Sequence, residues 1–500
     1  MSYNVRSYTA ISTVPLQHLW LVLFIFVLII IIMPNLLREP LMRLRARVQL
    51  LHLGASRQAT QASAADIEPY KYEPLSKSTS IRLLKIRRGV GEIHCSLAEV
   101  TKNTPHYEAL SYTWGSPTRT VENRTESQSG RVIYLNKKRF AVTNNLFDAL
   151  HQFRDLGKHG YLWIDAICID QGNIDERGEQ VGFMGDIYSN ADRVIVWLGK
   201  EDNDTREAVT LISAIARAFK KAREESETTP STFPFNDPRL YAHTDPKISP
   251  LDVRQWRIVM EFFTRTWFSR VWVLQEVTLA KEVDLFCGIV RPEYSVLTEF
   301  SATMAVSEWL DYAVVYTDPS PVKTYLRGPW SIPDFSAVLR GVHFLGVSAL
   351  LDVARTVHPE AKPFLELYYN AVNPLDKRYA FLEMSIFYSR QLGATDLRDR
   401  VYAPLSLASQ IVRHGTDSRD WIHPDYRQDF ATAFIKVSLL LLRNSSSLSL
   451  LSQVEDRRER ILQQLPSWVP DFSVAKTSAP LRHNCPYNAS RHWGDIDDRG

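Results

Sequence analysis

LWIDAICIDQ (residues 162–171) is a near-continuous apolar run broken by carboxylates at Asp165 and Asp170. A run of this kind suits a strand buried on both faces of a parallel sheet, because no side of it is left for water. A carboxylate inside it costs on the order of several kcal/mol unless it is paired or sits at the end of the strand. Asp165 or Asp170 is therefore expected to mark the carboxyl edge of the sheet, where open α/β folds hold their ligands. The competing reading is that Asp165 hydrogen-bonds neighbouring loop amides and only shapes the turn.

The flanking sequence continues the pattern. Residues 80–86 and 92–97 read as two short strands around the turn Arg88-Gly89, and YEALSYTW (107–114) as a third, ended by Gly115 and Pro117. Residues 132–136 and 140–143 read as a hairpin with Lys137-Lys138 at its tip. Leu146, Phe147, Leu150 and Phe153 recur at helical spacing behind a cap at Thr143 or Asn144. Downstream, Asp175 is a candidate cap for a helix over 177–190, and VIVWL (194–198) is the next buried strand, closed by Gly199. Strand, helix, strand, helix, strand is the grammar of a parallel α/β sheet. Gly178, Gly182 and Gly185 fall on one shoulder of the second helix, marking either close backbone approach or low local stability. Residues 205–223 predict a helix and 224–250 a surface insertion. Helices around 256–263 and 271–278 and a strand at 283–287 follow, and the remainder is mainly helical.

Five hundred residues predict two to three domains, and 45% apolar with 23% charged content is ordinary for a globular chain. A net charge of +3 leaves no nucleic-acid footprint. Cys95, Cys168, Cys287 and Cys485 form no CxxC pair or Cys/His cluster, so neither a structural metal nor a disulfide framework is expected. There is no Walker A loop, no dinucleotide glycine fingerprint and no GxSxG elbow.

The amino terminus is the exception to this composition. LWLVLFIFVLIIIIM (19–33) has no polar residue, and a span of about 20 such residues crosses a bilayer as a helix. Arg38, Arg43, Arg45 and Arg47 follow it, against Arg6 alone before, so the positive-inside bias places the bulk of the chain in the cytosol. No small-residue cleavage site follows, which favours an uncleaved anchor over a signal peptide. Sequons at Asn123, Asn203, Asn444 and Asn488 would then stay bare. The expected organisation is a tail at 1–15, a transmembrane anchor at 16–37, a basic juxtamembrane segment and linker at 38–69, an α/β domain at 70–288 and a mainly helical region at 289–500.

Several long motifs occur in order: YEALSYTWG, a hairpin followed by NNLFDAL, LWIDAICIDQGNIDERGEQVGFMGDIYSNADRVIVWLG, and WFSRVWVLQEV. Together they resemble the HET domain, the heterokaryon-incompatibility domain of filamentous fungi, over about 70–288. ATDLRDRVYAPLSLA and LPSWVPDF look like that family's usual carboxyl-terminal companion. The resemblance carries over Glu108, Trp114, Gly115, Trp163, Asp165, Cys168, Gln171, Arg177, Gln180, Tyr188 and Glu276. Asp170 stands where Asn is common, and an anchor ahead of the domain departs from the pattern. The HET domain in turn looks like a distant relative of the TIR fold, which implies a TIR/flavodoxin-like parallel sheet flanked by helices. In TIR enzymes a helix glutamate helps cleave the nicotinamide–ribose bond of NAD, and the matching position is Glu276.

Two functional classes remain open. One is a membrane-anchored, cytosol-facing module of nonself recognition and regulated cell death, acting by self-assembly or through protein partners and requiring no cofactor. The other is a TIR-like NAD nucleosidase with NAD as substrate and Glu276 as its catalytic carboxylate. The competing reading is that Glu276 only pairs with a nearby arginine such as Arg270. Glu108, Trp114, Gly115, Asp165, Cys168, Asp170, Gln171 and Arg177 are the pocket or motif residues in either class. A relic of the family with neither activity is a third reading. Cys168 as a nucleophile competes with a small core residue in a buried strand.

Overall fold

The computed structural model describes residues 67–474 apart from 78, 101–104, 119–129, 227–233, 242–247, 307–308, 310–376, 391, 412–420 and 445–447. The chain forms two units, Met1–Pro69 and Tyr70–Gly500, and the account below concerns the second.

Among the described residues the strands are β1 (Ile81–Ile86), β2 (His94–Val100), β3 (Tyr107–Tyr112), β4 (Arg131–Leu135), β5 (Lys138–Val142), β6 (Tyr161–Trp163), β7 (Arg193–Trp197) and β8 (Val283–Phe286). They form one sheet in the order β5-β4-β2-β1-β6-β3-β7-β8. The expectation of a parallel sheet is corrected to a mixed one. β6, β3, β7 and β8 are mutually parallel, but β1 runs antiparallel to both β6 and β2, and β4 runs antiparallel to β5. For β1–β2 and β4–β5 the short connections are the reason, since a turn of a few residues can join only antiparallel neighbours. At the β4–β5 tip the turn residues are Asn136 and Lys137, with φ of 50° and 70°, one position earlier than predicted. Both central residues in the left-handed region give the primed turn that matches hairpin twist.

The helices are α1 (Asn144–Asp155), α2 (Asp165–Cys168), α3 (Ile174–Asn190), α4 (Thr205–Ser226), α5 (Pro238–Tyr241), α6 (Val253–Phe262), α7 (Val271–Thr278), α8 (Tyr294–Val306), α9 (Lys377–Ser389), α10 (Asp399–Ile411) and α11 (Phe430–Asn444). The run LWIDAICIDQ is not one strand. β6 ends at Trp163, and the chain turns through Ile164 into the single turn α2. Ile167, Cys168 and Ile169 are buried all the same, because α2 packs beneath β1. A short apolar run reports burial without saying which backbone delivers it. The cap of α3 is Asn173, whose side chain accepts from the amides of Asp175 and Glu176, so Asp175 is not the cap. Part of the 224–250 segment is built in rather than laid on the surface. Leu240 and Tyr241 are buried, and Asn236 Oδ1 accepts from the Tyr241 hydroxyl at 2.6 Å and the Trp256 indole at 3.2 Å.

The central strands β3 and β7 are buried on both faces beyond their first residues, which suits the apolar runs Ala109-Leu110 and 194–197. Arg82 on β1 is buried beside the Cys168 carbonyl, where Glu176 on α3 meets it in a two-pronged ion pair at 2.5 and 3.0 Å. Trp163, 0% exposed, packs edge-on against Tyr188 at 5.5 Å.

The transmembrane part of the expected fold class, and with it the single-pass, cytosol-facing placement, is corrected. Among the described residues no helix is long and apolar enough to cross a membrane. The longest, α4, has the length at 22 residues but carries Arg206, Glu207, Arg217, Lys220 and Lys221 away from its buried stripe. The residues read as the anchor, 16–37, and the basic segment and linker up to residue 66 lie outside the described residues.

Candidate functional site

A cleft of about 910 Å³ opens at the carboxyl ends of β3 and β6. The chain leaves β3 to form β6 on one side, then crosses through α3 to β7 on the other. That reversal splays the connecting loops apart and makes a crevice where open α/β sheets bind ligands. Three segments meet there: the loop after β3, carrying Trp114 and Gly115; the β6–α2 corner, carrying Asp165; and α7, carrying Glu276.

Glu276 is the most constrained of these groups. It is 2% exposed, and its carboxylate accepts a short hydrogen bond from the Ser111 hydroxyl. Ser111 in turn accepts from the Trp267 indole at 2.8 Å. Burial pushes the Glu276 carboxyl up to about 7, against the opposing pull of the Arg270 guanidinium and the Ser111 bond, with the Asp165 charge pushing further upward. Asp165 starts α2 at the crevice wall. It accepts from the Trp114 indole at 2.8 Å and from the Ala166 amide at 2.7 Å. Burial raises its carboxyl as well, opposed by Arg270, Trp114 and Ala166. Arg270 is tethered through its guanidinium to the Tyr112 carbonyl, which sets the cation beside both acids. A carboxyl that exchanges its proton near neutral pH can donate to a ligand, take a proton from one, or stabilise developing positive charge once ionised.

The other expected site residues divide. Trp114, Gly115, Asp165, Gln171, Arg177 and Glu276 all line the cleft. Gln171 donates to the Asp165 carbonyl at 2.9 Å and closes the loop after α2. The Arg177 guanidinium lies over the Tyr426 ring at 5.3 Å. Glu108 sits at the opposite, amino end of β3, paired with Lys158 at 3.0 Å and Arg193 at 3.6 Å. Cys168 is 1% exposed, accepts the Ile164 amide at 3.3 Å and is pushed up to about 12 by burial, which removes any thiolate at neutral pH. Asp170 shapes its loop: its side chain accepts the Gly172 amide at 3.1 Å and its amide donates to Glu176 at 2.8 Å.

Five residues of the site escaped sequence reasoning: Ser111, Trp267, Trp272, Asp399 and Tyr426. Ser111 carried a readable signal, being a polar residue in the buried stretch 109–112 of β3, the same kind of signal that singled out Asp165. Asp399 and Tyr426 carried none, since their segments ATDLRDR and HPDY show no periodicity and lie more than 100 residues beyond Glu276. Among the described residues no group of three or more His, Cys, Asp or Glu side chains could hold a metal ion.

Comparison with known proteins agrees with the motifs. The family model described as "Heterokaryon incompatibility protein (HET)" matches residues 107–276, from the first residue of β3 to the crevice glutamate. "Heterokaryon incompatibility protein 6, OR allele" of Neurospora crassa is 25% identical over 461 residues, covering 84% of this chain and 62% of the relative. The chain thus spans less than two thirds of that relative's length. "Vegetative incompatibility protein HET-E-1" of Podospora anserina is 31% identical over 128 residues, which are 26% of this chain and 9% of that protein. No solved structure matches. The ordered motifs and these matches show that the chain carries a HET domain, the domain of fungal heterokaryon-incompatibility proteins, over residues 107–276.

Proposed function

We propose that this chain acts in nonself recognition and regulated cell death of the heterokaryon-incompatibility type, and that the crevice at the ends of β3 and β6 is its working site. The family match supports the first half. The second half is carried by Glu276, a fully enclosed acid held by Ser111 and Trp267 at the edge of a cavity. An apolar side chain of similar size would stabilise the fold more, so an acid kept there points to use. Protein partners or self-association follow as the route by which the signal leaves the molecule. Inducible expression in a filamentous fungus, scored by vital-dye uptake, tests the reading. Asp165→Ala at matched protein level is expected to reduce killing about tenfold or more. Wild-type killing by both Asp165→Ala and Glu276→Gln sinks it.

A second reading is favoured by one observation, the carboxyl at about 7 beside a cleft within the 300–1,000 Å³ range of ligand sites. In it the crevice cleaves the nicotinamide–ribose bond of NAD. Nicotinamide leaves with the bonding electron pair on its ring nitrogen, ionised Glu276 stabilises the cationic sugar, and water adds to that sugar with release of a proton. Nicotinamide release by the purified full chain, reduced about a hundredfold or more by Glu276→Gln, is the expected result. No release from the active, cell-killing preparation rejects it.

A further inference from the structure

The family match stops at Glu276, but the crevice does not. Its facing wall is built by residues 393–399 and 426–430 of the carboxyl-terminal region. Three features fix that wall to the HET domain. Gly393 accepts the Val271 amide at 3.0 Å and donates to the Ser269 carbonyl, a backbone bridge across the start of α7. A side-chain carbon at Gly393 would come within 3.2 Å of the Ser269 carbonyl, so the two backbones lie in close contact. Behind the bridge, Gln275 donates to Ser406 at 2.9 Å, while Val401, Tyr402 and Leu405 bury α10 against the domain.

The polar groups of this wall face those already described. Asp399 accepts from the Tyr426 hydroxyl at 2.6 Å, and Trp272 lines the same cleft. Trp272 and Glu276 stand four residues apart on α7, hence on one face and about 5–6 Å apart at Cβ. Glu276 shares the cleft with Asp399 and Trp272. Tyr426 is itself clamped, with the guanidiniums of Arg177 and Arg398 lying over its ring at 5.3 and 5.2 Å. Asp396 is already neutralised by a two-pronged pair with Arg398. Asp165, Glu276 and Asp399 therefore remain as acceptors on the cleft, held by Trp114, Ser111 and Tyr426 respectively.

We infer that the site is bipartite: Asp399 and the Tyr426 hydroxyl, from outside the HET domain, contact the same ligand as Glu276 and Asp165, and that ligand is rich in hydroxyl or amine donors. The inference rests on the reading of the crevice as the working site. Three carboxyls lining one cleft select donors, because each keeps acceptor capacity beyond its protein partners. The carboxyl-terminal region is on this account a ligand-contacting half of the site, not a detachable cover.

The test expresses the full chain with Asp399→Asn, Asp399→Glu, Tyr426→Phe or Glu276→Gln at matched level, and reads killing together with the melting temperature of each purified protein. Asp399→Asn and Tyr426→Phe are expected to lower killing about tenfold with melting points within about 3 °C of wild type, and Asp399→Glu to recover most of it. Recovery by the longer acid separates ligand contact from packing, which the extra methylene would only worsen. Should Asp399→Asn fail to fold, Tyr426→Phe, which removes one oxygen, decides alone. Full killing by the Asp399 and Tyr426 variants beside loss in Glu276→Gln overturns the bipartite site while leaving the crevice reading intact. Full killing by Glu276→Gln as well overturns both.

Discussion

Glu276 keeps its proton to about pH 7 because ionising it inside the fold would strand a charge with only Ser111 and a neighbouring guanidinium to hold it. In the unfolded chain the same carboxyl loses its proton near 4.5. Between those values the folded state binds more protons than the unfolded one, so stability falls as pH rises through that window. The raised Asp399, at about 6 through burial, acts in the same direction. Glu276→Gln removes the larger of these penalties. It is expected to match wild type near pH 4.5 and to exceed it by up to about 3 kcal/mol at pH 8, measured by urea unfolding at both values. A variant equally stable or weaker at pH 8 shows that the folded chain pays nothing for this carboxylate. The same residue was legible in the sequence only through the resemblance of WFSRVWVLQEV. Its partner Ser111 sits 165 positions away, and no local pattern links the two.

At the scale of single elements, the glycines test which local features are dictated by neighbours. Gly182 on α3 faces open space, with nothing within 4 Å of an added Cβ. Gly182→Ala is expected to stabilise by about 1 kcal/mol, since only helix propensity changes. Gly199, closing β7, is the reverse. Its φ of +96° suits glycine, and a Cβ would fall 2.5 Å from Pro117 in the loop that carries Trp114. Gly199→Ala is expected to cost about 1–3 kcal/mol and to displace that loop, seen as lower melting and altered tryptophan fluorescence. Equal melting points for the two variants would remove the distinction. Sequence periodicity located β3, α1, α3, β7 and α7 because their burial is a matter of local spacing. It misread LWIDAICIDQ as one strand because burial under β1, rather than the sheet ladder, covers its second half.

For the whole molecule, the seam between the HET domain and the carboxyl-terminal region is the least expected feature. α10 packs on α7 and α3, and a second clasp lies beyond it. There Arg390, 1% exposed at its side chain, pairs with Glu455 and donates to the carbonyls of Gln453 and Asp471. Asp471 of LPSWVPDF accepts the amides of Ile461 and Leu462 at 2.8 and 2.7 Å, which accounts for that motif as a structural staple. A fragment of residues 67–306 would expose the faces of α7 and α3 that α10 buries. It is expected to bind a hydrophobic dye and to melt without cooperativity, whereas the full chain melts sharply. A cooperative, dye-silent fragment would mean that the HET domain closes its own core.

Composition, motif order and the burial period of each segment were determined by the sequence alone, because they depend on contacts within a few residues. They were enough to identify a HET domain and to put an acid at the carboxyl edge of a sheet. Only the tertiary structure decided that the edge acid is Asp165, that Ser111 and Trp267 stand behind Glu276, and that Asp399 and Tyr426 face it from another part of the chain. Those groupings arise from pairings across 27 to 165 residues, and no spacing in the sequence encodes which distant surfaces will meet.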